Sequence, residues 1–188
     1  MNQRKQIRQA IKAKRAALTN AKRSAANHKI AQRIINSDLF KSSQHIACYM
    51  AKGAEVNLQE VIDAILASNK HCYLPLIRQD KSGLYFIEYF AGDNLQVGNF
   101  EILEPKFDKQ KLIAPENLDL VLTPLVAFDM HGNRLGRGGG YYDRTFGFTS
   151  HPLLIGVAYA CQQVLQIAAQ PWDVKLHGVI TEVGFKIF

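Results

Sequence analysis

Four apolar runs set the narrowest limit on what this chain can fold into: HIACYM at 45–50, HCYLPLI at 71–77, DLVLTPLVAFD at 119–129 and LLIGVAYA at 153–160. They are short, rich in β-branched and aromatic residues, and nearly continuous in apolar character. A strand with one wet face alternates between apolar and polar positions, whereas a strand covered on both faces need not. Between the runs lie segments of helical period. Ile7, Ile11 and Leu18 share a stripe in residues 3–18, Ile30, Ile34 and Ile35 share one after Thr19 and Asn20, and Val61, Ile62, Ile65 and Leu66 follow Asn57 and Glu60. Thr19 and Asn20 are placed to cap the second helix, and the Asn57-x-x-Glu60 spacing predicts a capping box. This pattern predicts one three-layer α/β domain over residues 1–188, its mainly parallel central sheet covered by helices on both faces.

The remaining segments are less regular. LYFIEYF at 84–90 reads as a strand, and 91–118 as an excursion containing proline and lysine. Residues 119–129 read as one long strand with Pro124 near its middle, 162–169 as a helix, and 178–188 as a strand or hairpin. No apolar run approaches the roughly 20 residues that cross a bilayer. Cys48, Cys72 and Cys161 are odd in number and form no CxxC, so neither a zinc site nor a disulfide framework is expected, and a reducing cytoplasm is. The six histidines show no HxxxH or HExxH spacing.

The formal charge is +7, and ten of the 23 Lys and Arg lie within residues 1–33, which carry no acid. The other thirteen face sixteen acids, so the body of the chain is slightly acidic. A basic arm of this kind serves a solvated helix face, a nucleic acid or another polyanion.

RLGRGGGYYDR at 134–144 narrows that choice. It follows a strand and opens a helix, the position in α/β folds where ligands gather. Three successive glycines allow positive φ and close approach of a ligand to the backbone, and amides at a helix start form an anion cradle. Arg134, Arg137 and Arg144 add charge whose fork geometry suits phosphate oxygens. No GxxxxGK[ST] occurs, and the dinucleotide pattern GxGxxG fails because position 141 is tyrosine. Asp143 supplies a carboxylate beside the proposed phosphates, and Asp173 is a second candidate that by itself also reads as a turn or cap residue. Magnesium is commonly held by one or two carboxylates together with phosphate oxygens and water.

The run PLVAFDMHGNRLGRGGGYYDR resembles the signature of the 5-formyltetrahydrofolate cyclo-ligase family, also called 5,10-methenyltetrahydrofolate synthetases. KRAAL, YMAKGAEVN, GNFEILEP, LLIGVAYACQQV and WDVKLHGVITE follow the family's order across nearly the whole chain. The resemblance implies a single three-layer α/β domain and an ATP- and Mg²⁺-dependent conversion of 5-formyltetrahydrofolate to 5,10-methenyltetrahydrofolate, with release of ADP and phosphate. It also implies phosphorylation of the formyl oxygen followed by intramolecular attack of N10.

By matching position, the resemblance assigns ATP binding to Arg4 or Lys5, to Arg8, and to Arg134, Leu135, Gly136, Arg137, Gly138, Gly139, Gly140, Tyr141 and Tyr142. It assigns folate binding to Met50, Glu55, Arg137, Gly138, Gly139, Gly140 and Tyr141, and magnesium to Asp143 and Asp173. Arg137 and Tyr142 are the catalytic candidates, although many relatives carry an aromatic at position 137. Trp172 stands where relatives often have histidine. The expected partners are 5-formyltetrahydrofolate and ATP, with no nucleic acid and no membrane, in a monomer or weak homodimer. A nucleic-acid-binding protein using the basic helices is the first rival, and a sugar-phosphate or CoA-transferase-like enzyme the second. Replacing Asp143 by Asn is expected to weaken metal-dependent turnover far more than folding.

Overall fold

Helix formation follows the apolar stripes at the amino end. In the computed structural model, which describes residues 3–98, 101–149 and 152–188, the first helices are α1 (Gln3–Ala16) and α2 (Asn20–Ile35). Asn99 and Phe100 of the 98–105 segment, and His151, lie outside the described residues. The Thr19 hydroxyl accepts the Lys22 amide at 3.3 Å, as expected of a cap. α2 buries Ala26, Ile30, Ala31 and Ile34. A short helix, α3 (Asp38–Ser42), is capped by Ser37 and buries only Phe40, too little for sequence periodicity to display.

Strand β1 (His45–Ala47) leads through a loop to helix α4 (Gln59–Leu66), then to β2 (His71–Ile77) and β3 (Leu84–Glu88). The expected capping box at α4 does not form. Asn57 Oδ1 accepts the Gln59 amide two residues on at 2.8 Å, and the Glu60 carboxylate is drawn to His28 Nδ1 of α2 at 2.9 Å. A small hairpin of β4 (Leu95–Val97) and β5 (Leu103–Pro105) precedes β6 (Leu112–Ile113) and β7 (Leu120–Pro124). β8 (Ala127–Phe128) pairs antiparallel with β9 (Arg134–Leu135), and α5 (Tyr141–Phe146) follows directly on the glycines. The chain ends with β10 (Leu153–Val157), β11 (Gly178–Ile180) and β12 (Phe185–Ile187).

Eight strands form the main sheet in the order β12-β11-β10-β7-β1-β2-β3-β6. The five inner strands, β11 to β2, run parallel, and both margins are antiparallel. Alternation along each strand divides the core. Ile46, Leu120, Leu122, Ile155 and Val157 pack beneath α2 and α4, whereas Ala47, Val121, Leu154 and Val179 pack with Phe146 of α5, Leu125, Phe128 and Leu176. The mainly parallel α/β sheet is therefore as the apolar runs predict.

Two expectations fail for identifiable reasons. The single strand over 119–129 is two strands: β7 stops at Pro124, which has no N–H to continue a ladder, and β8 leaves the main sheet for its own hairpin. The helix over 162–169 is a single 3₁₀ turn, Ala160–Gln162, followed by irregular chain. A helix would direct the amides of Val164 and Ile167 to carbonyls four residues back. Instead they donate to Phe128 O and to the Asp129 carboxylate, both at 2.9 Å, while the buried Gln162 side chain binds Leu125 O and Val126 O.

Asp129 is the hub of this region. Fully buried, its carboxylate accepts from the His131 amide (2.9 Å), the Asn133 amide (3.1 Å), Asn133 Nδ2 (2.9 Å) and the Ile167 amide (2.9 Å). Burial opposes ionisation, but the Asn133 side chain and the amides outweigh it and hold the carboxyl below its ordinary pKa. A lowered folded-state value means that this stabilisation is present above the unfolded carboxyl pKa, about 4, and is lost as pH falls through the folded value. Asp129→Asn should therefore lower the unfolding free energy by roughly 2 kcal/mol at pH 7. In urea titrations at several pH values, the gap from wild type should narrow below about pH 4; a gap independent of pH would contradict the role given to the charge.

Candidate active site

Parallel strands leave their carboxyl ends open where adjacent connections diverge. A cleft of about 300 Å³ lies at the ends of β1, β2 and β7, where Tyr49, Met50, Ile77, Pro124 and Leu125 form its floor and walls. The glycine segment closes one side, and α1 contributes Arg4 and Arg8. Arg4, Arg8, Met50, Glu55, Arg134 through Asp143, and Asp173 thus share one cavity, although they are spread over 170 positions of sequence. Lys5 is exposed and does not line it, so Arg4 is the member of that pair turned towards the cleft.

The glycines have specific backbone reasons to be glycine. Gly138 has φ +113° and Gly140 φ +66°, both in territory that side chains disfavour. Gly140 is the residue immediately before α5, and a Cβ on Gly139 would meet the Tyr141 ring at 2.6 Å. Among the described residues, no carbonyl or side chain accepts from the amides of Gly138, Gly139 or Gly140. Arg8 Nε donates to Gly136 O at 2.9 Å, which brings α1 against this loop.

Arginines surround the loop, and three of them bind carboxylates. Arg134, with its side chain 5% exposed, donates to Asp143 Oδ1 at 2.7 Å and to Val174 O. Burial lowers the Arg134 pKa, and Asp143, Tyr142 and Asp173 pull it back up. Arg4 pairs with Asp173, and its Nε donates to Ala168 O at 3.2 Å. Arg137 Nε reaches Glu55 Oε1 at 2.9 Å, and Glu55 Oε2 accepts the Lys52 amide at 3.0 Å. Burial and then the like charge of Arg4 lower the pKa of Arg8, and an anion between these two guanidiniums would offset their mutual repulsion. Burial, reinforced by Glu55, pushes the Tyr142 hydroxyl well above its ordinary pKa, which keeps it a neutral donor.

The donor set also bears on magnesium. Among the described residues no group of three His, Cys, Asp or Glu could hold a metal ion. Asp143 and Asp173 line the same cleft and each is already neutralised by an arginine. Two carboxylates beside a run of unengaged main-chain amides fit a cation that brings further oxygen ligands with it, and not a metal caged by protein alone.

Several wall residues were not singled out as binding residues by sequence reasoning, Glu104, Leu103 and Trp172 among them. Glu104 and Leu103 come from the β4–β5 hairpin, whose place beside the cleft depends on long-range packing that no local pattern announces. Trp172 stands out in sequence only as the chain's single tryptophan next to a candidate carboxylate.

With this geometry in place, the comparison with known proteins is direct. A model of the "5-formyltetrahydrofolate cyclo-ligase family" matches residues 1–182. The 5-formyltetrahydrofolate cyclo-ligase of Haemophilus influenzae is 36% identical over 180 residues, covering 94% of this chain and 96% of the relative. That of Escherichia coli K12 is 32% identical over 174 residues, covering 91% and 96%. The NMR structure of Aquifex aeolicus 5,10-methenyltetrahydrofolate synthetase superposes with a TM-score of 0.86 at 29% identity, covering 98% of this chain and 92% of that one. Fold, signature and the span of the match agree, and the chain belongs to the 5-formyltetrahydrofolate cyclo-ligase family.

Proposed function

We propose that this protein converts 5-formyltetrahydrofolate to 5,10-methenyltetrahydrofolate, using ATP with Mg²⁺ and releasing ADP and phosphate. One observation carries the reading most strongly. The amides of Gly138, Gly139 and Gly140 have no protein acceptor among the described residues, and they lie in a cleft walled by Arg4, Arg8, Arg134 and Arg137. Such a cradle suits a polyphosphate. The adjoining wall, with Met50, Ile77, Leu125 and the Glu55 carboxylate, suits a flat heterocycle whose amino edge donates hydrogen bonds.

The chemistry follows from the weakness of an N-formyl group as an electrophile. Its oxygen attacks the γ-phosphorus of ATP, an O–P bond forms, and ADP leaves. N10 of the same molecule then attacks the activated formyl carbon. The C–O bond breaks with departure of phosphate, N10 loses its proton, and the methenyl bridge is complete. Both reacting groups of the second step belong to one molecule, so the protein's part is orientation and stabilisation of charge. Arg137, which donates to Glu55, supplies the guanidinium that stabilises charge developing during transfer. Tyr142, held neutral, offers a hydrogen bond at the same place, and Arg4 and Arg8 grip phosphate oxygens from α1. Magnesium, held by Asp143 and Asp173, would neutralise phosphate charge. The basic arm, the main support of the nucleic-acid reading, is partly accounted for by Arg4 and Arg8 facing the cleft.

The test is to mix the purified protein with ATP, magnesium and 5-formyltetrahydrofolate and follow the methenyl chromophore. The colour should develop only when all three are present, and folded protein that produces none would overturn the reading. Arg137→Ala should lower kcat by about 100-fold or more; unchanged turnover would remove Arg137 from the transfer step. The geometry revises the expectation for Asp143. Because Asp143 neutralises a buried arginine, Asp143→Asn should cost roughly 2 kcal/mol of folding stability as well as activity. Thermal or urea unfolding without ligands checks this, and an unchanged midpoint would contradict it.

A further inference from the structure

The contacts along the cleft give it a direction. Glu55 meets Arg137, Arg137 stands beside Gly138, and Arg8 donates to Gly136 O while its Nη2 lies near Gly138. Arg4, one helical turn before Arg8 and about 6 Å away along α1, pairs with Asp173. Trp172 immediately precedes Asp173 and lines the same cavity. In this chain of contacts the glycine loop and the two arginines of α1 stand between the wall at Met50 and Glu55 and the indole of Trp172.

That indole is 67% exposed and, among the described residues, no aromatic ring stacks on it. Its backbone is nevertheless fixed. The Asp173 amide donates to Gln170 O at 3.0 Å and the Gln170 amide donates to Asp173 Oδ2 at 2.8 Å, which closes a turn over Gln170-Pro171-Trp172-Asp173. Proline suits the second position of such a turn, and Arg4 ties its last residue to α1. A large aromatic face carried on a hydrogen-bonded turn at a cleft wall, and open to solvent, is an arrangement on which flat heterocycles stack.

We infer that Trp172 is the platform for the base of the bound nucleotide. This rests on the nucleotide reading above and extends it. The γ-phosphate must face the formyl group near Glu55 and Arg137, so the base of the same nucleotide lies at the far end of the cradle, where Trp172 stands. The pterin is assigned to the wall of Met50 and Glu55, which leaves the indole to the base. Stacking accepts any base with a π-face, so Trp172 strengthens binding of purine nucleotides generally and does not by itself select adenine.

Calorimetry with ATP, inorganic tripolyphosphate and 5-formyltetrahydrofolate, on wild type and Trp172→Ala, tests this. Loss of one base-stacking face corresponds to about a 5- to 150-fold change in affinity. Trp172→Ala should therefore weaken ATP about tenfold or more while leaving tripolyphosphate and the folate within about twofold, and Trp172→Phe should fall between. As Trp172 is the only tryptophan, ATP should also change the intrinsic indole fluorescence of wild type and tripolyphosphate should not. Equal weakening of ATP and tripolyphosphate, or selective weakening of the folate, would overturn the platform while leaving the nucleotide reading intact. Wild-type protein that binds neither ATP nor tripolyphosphate would overturn both.

Discussion

A buried guanidinium governs the shape of the site. Arg134 has lost nearly all its hydration, and a charge in that position persists only if it is paired and its remaining donors are satisfied. Asp143, nine residues on, supplies the pair, and Val174 O supplies an acceptor from the chain that returns before β11. The two ends of the segment 134–143 are thereby fastened together, and the residues between them must turn in a tight loop. Glycine at 138 and 140 meets the positive φ that such a loop demands.

The loop is aimed as well as closed. Pro124 ends β7 at the carboxyl edge of the sheet and releases the chain into the β8–β9 hairpin. Asp129 then fixes the hairpin turn and, through the Ile167 amide, the start of the segment that carries Ala168 and Asp173 to Arg4. One buried carboxylate therefore registers the glycine loop against the opposite wall of the cleft. Rigid supports of this kind reduce the ordering cost that a flexible loop would incur on gripping a ligand.

The sheet and the loop were legible in sequence because each has a local cause. Doubly covered strands read as continuous apolar runs, and a triple glycine flanked by arginines states its own backbone requirement. The errors share a different origin. Asn57 and Glu60 have the spacing of a capping box, yet His28 lies close enough in space to take the carboxylate. Residues 162–169 have helical composition, yet Phe128 O and Asp129 take their amides. Long-range hydrogen bonds decided both, and no window of neighbouring residues contains that information. The same holds for the partners of the site carboxylates: Asp143 and Asp173 could be proposed from type and position, whereas their neutralisation by Arg134 and Arg4 required the fold.

That neutralisation gives the site its resting state, with arginines and carboxylates satisfying one another across a cradle of open amides. A bound polyphosphate would take arginine donors while a divalent ion took the carboxylates, so charge would be redistributed with little left unpaired. The claim beneath this picture is that the main-chain amides of Gly138, Gly139 and Gly140 hold the phosphates. Residue-resolved amide hydrogen exchange, with and without a non-hydrolysable ATP analogue and magnesium, tests it most directly. Exchange at those three amides should slow markedly when the nucleotide binds. Unchanged exchange there, with new protection appearing elsewhere on the chain, would contradict the account.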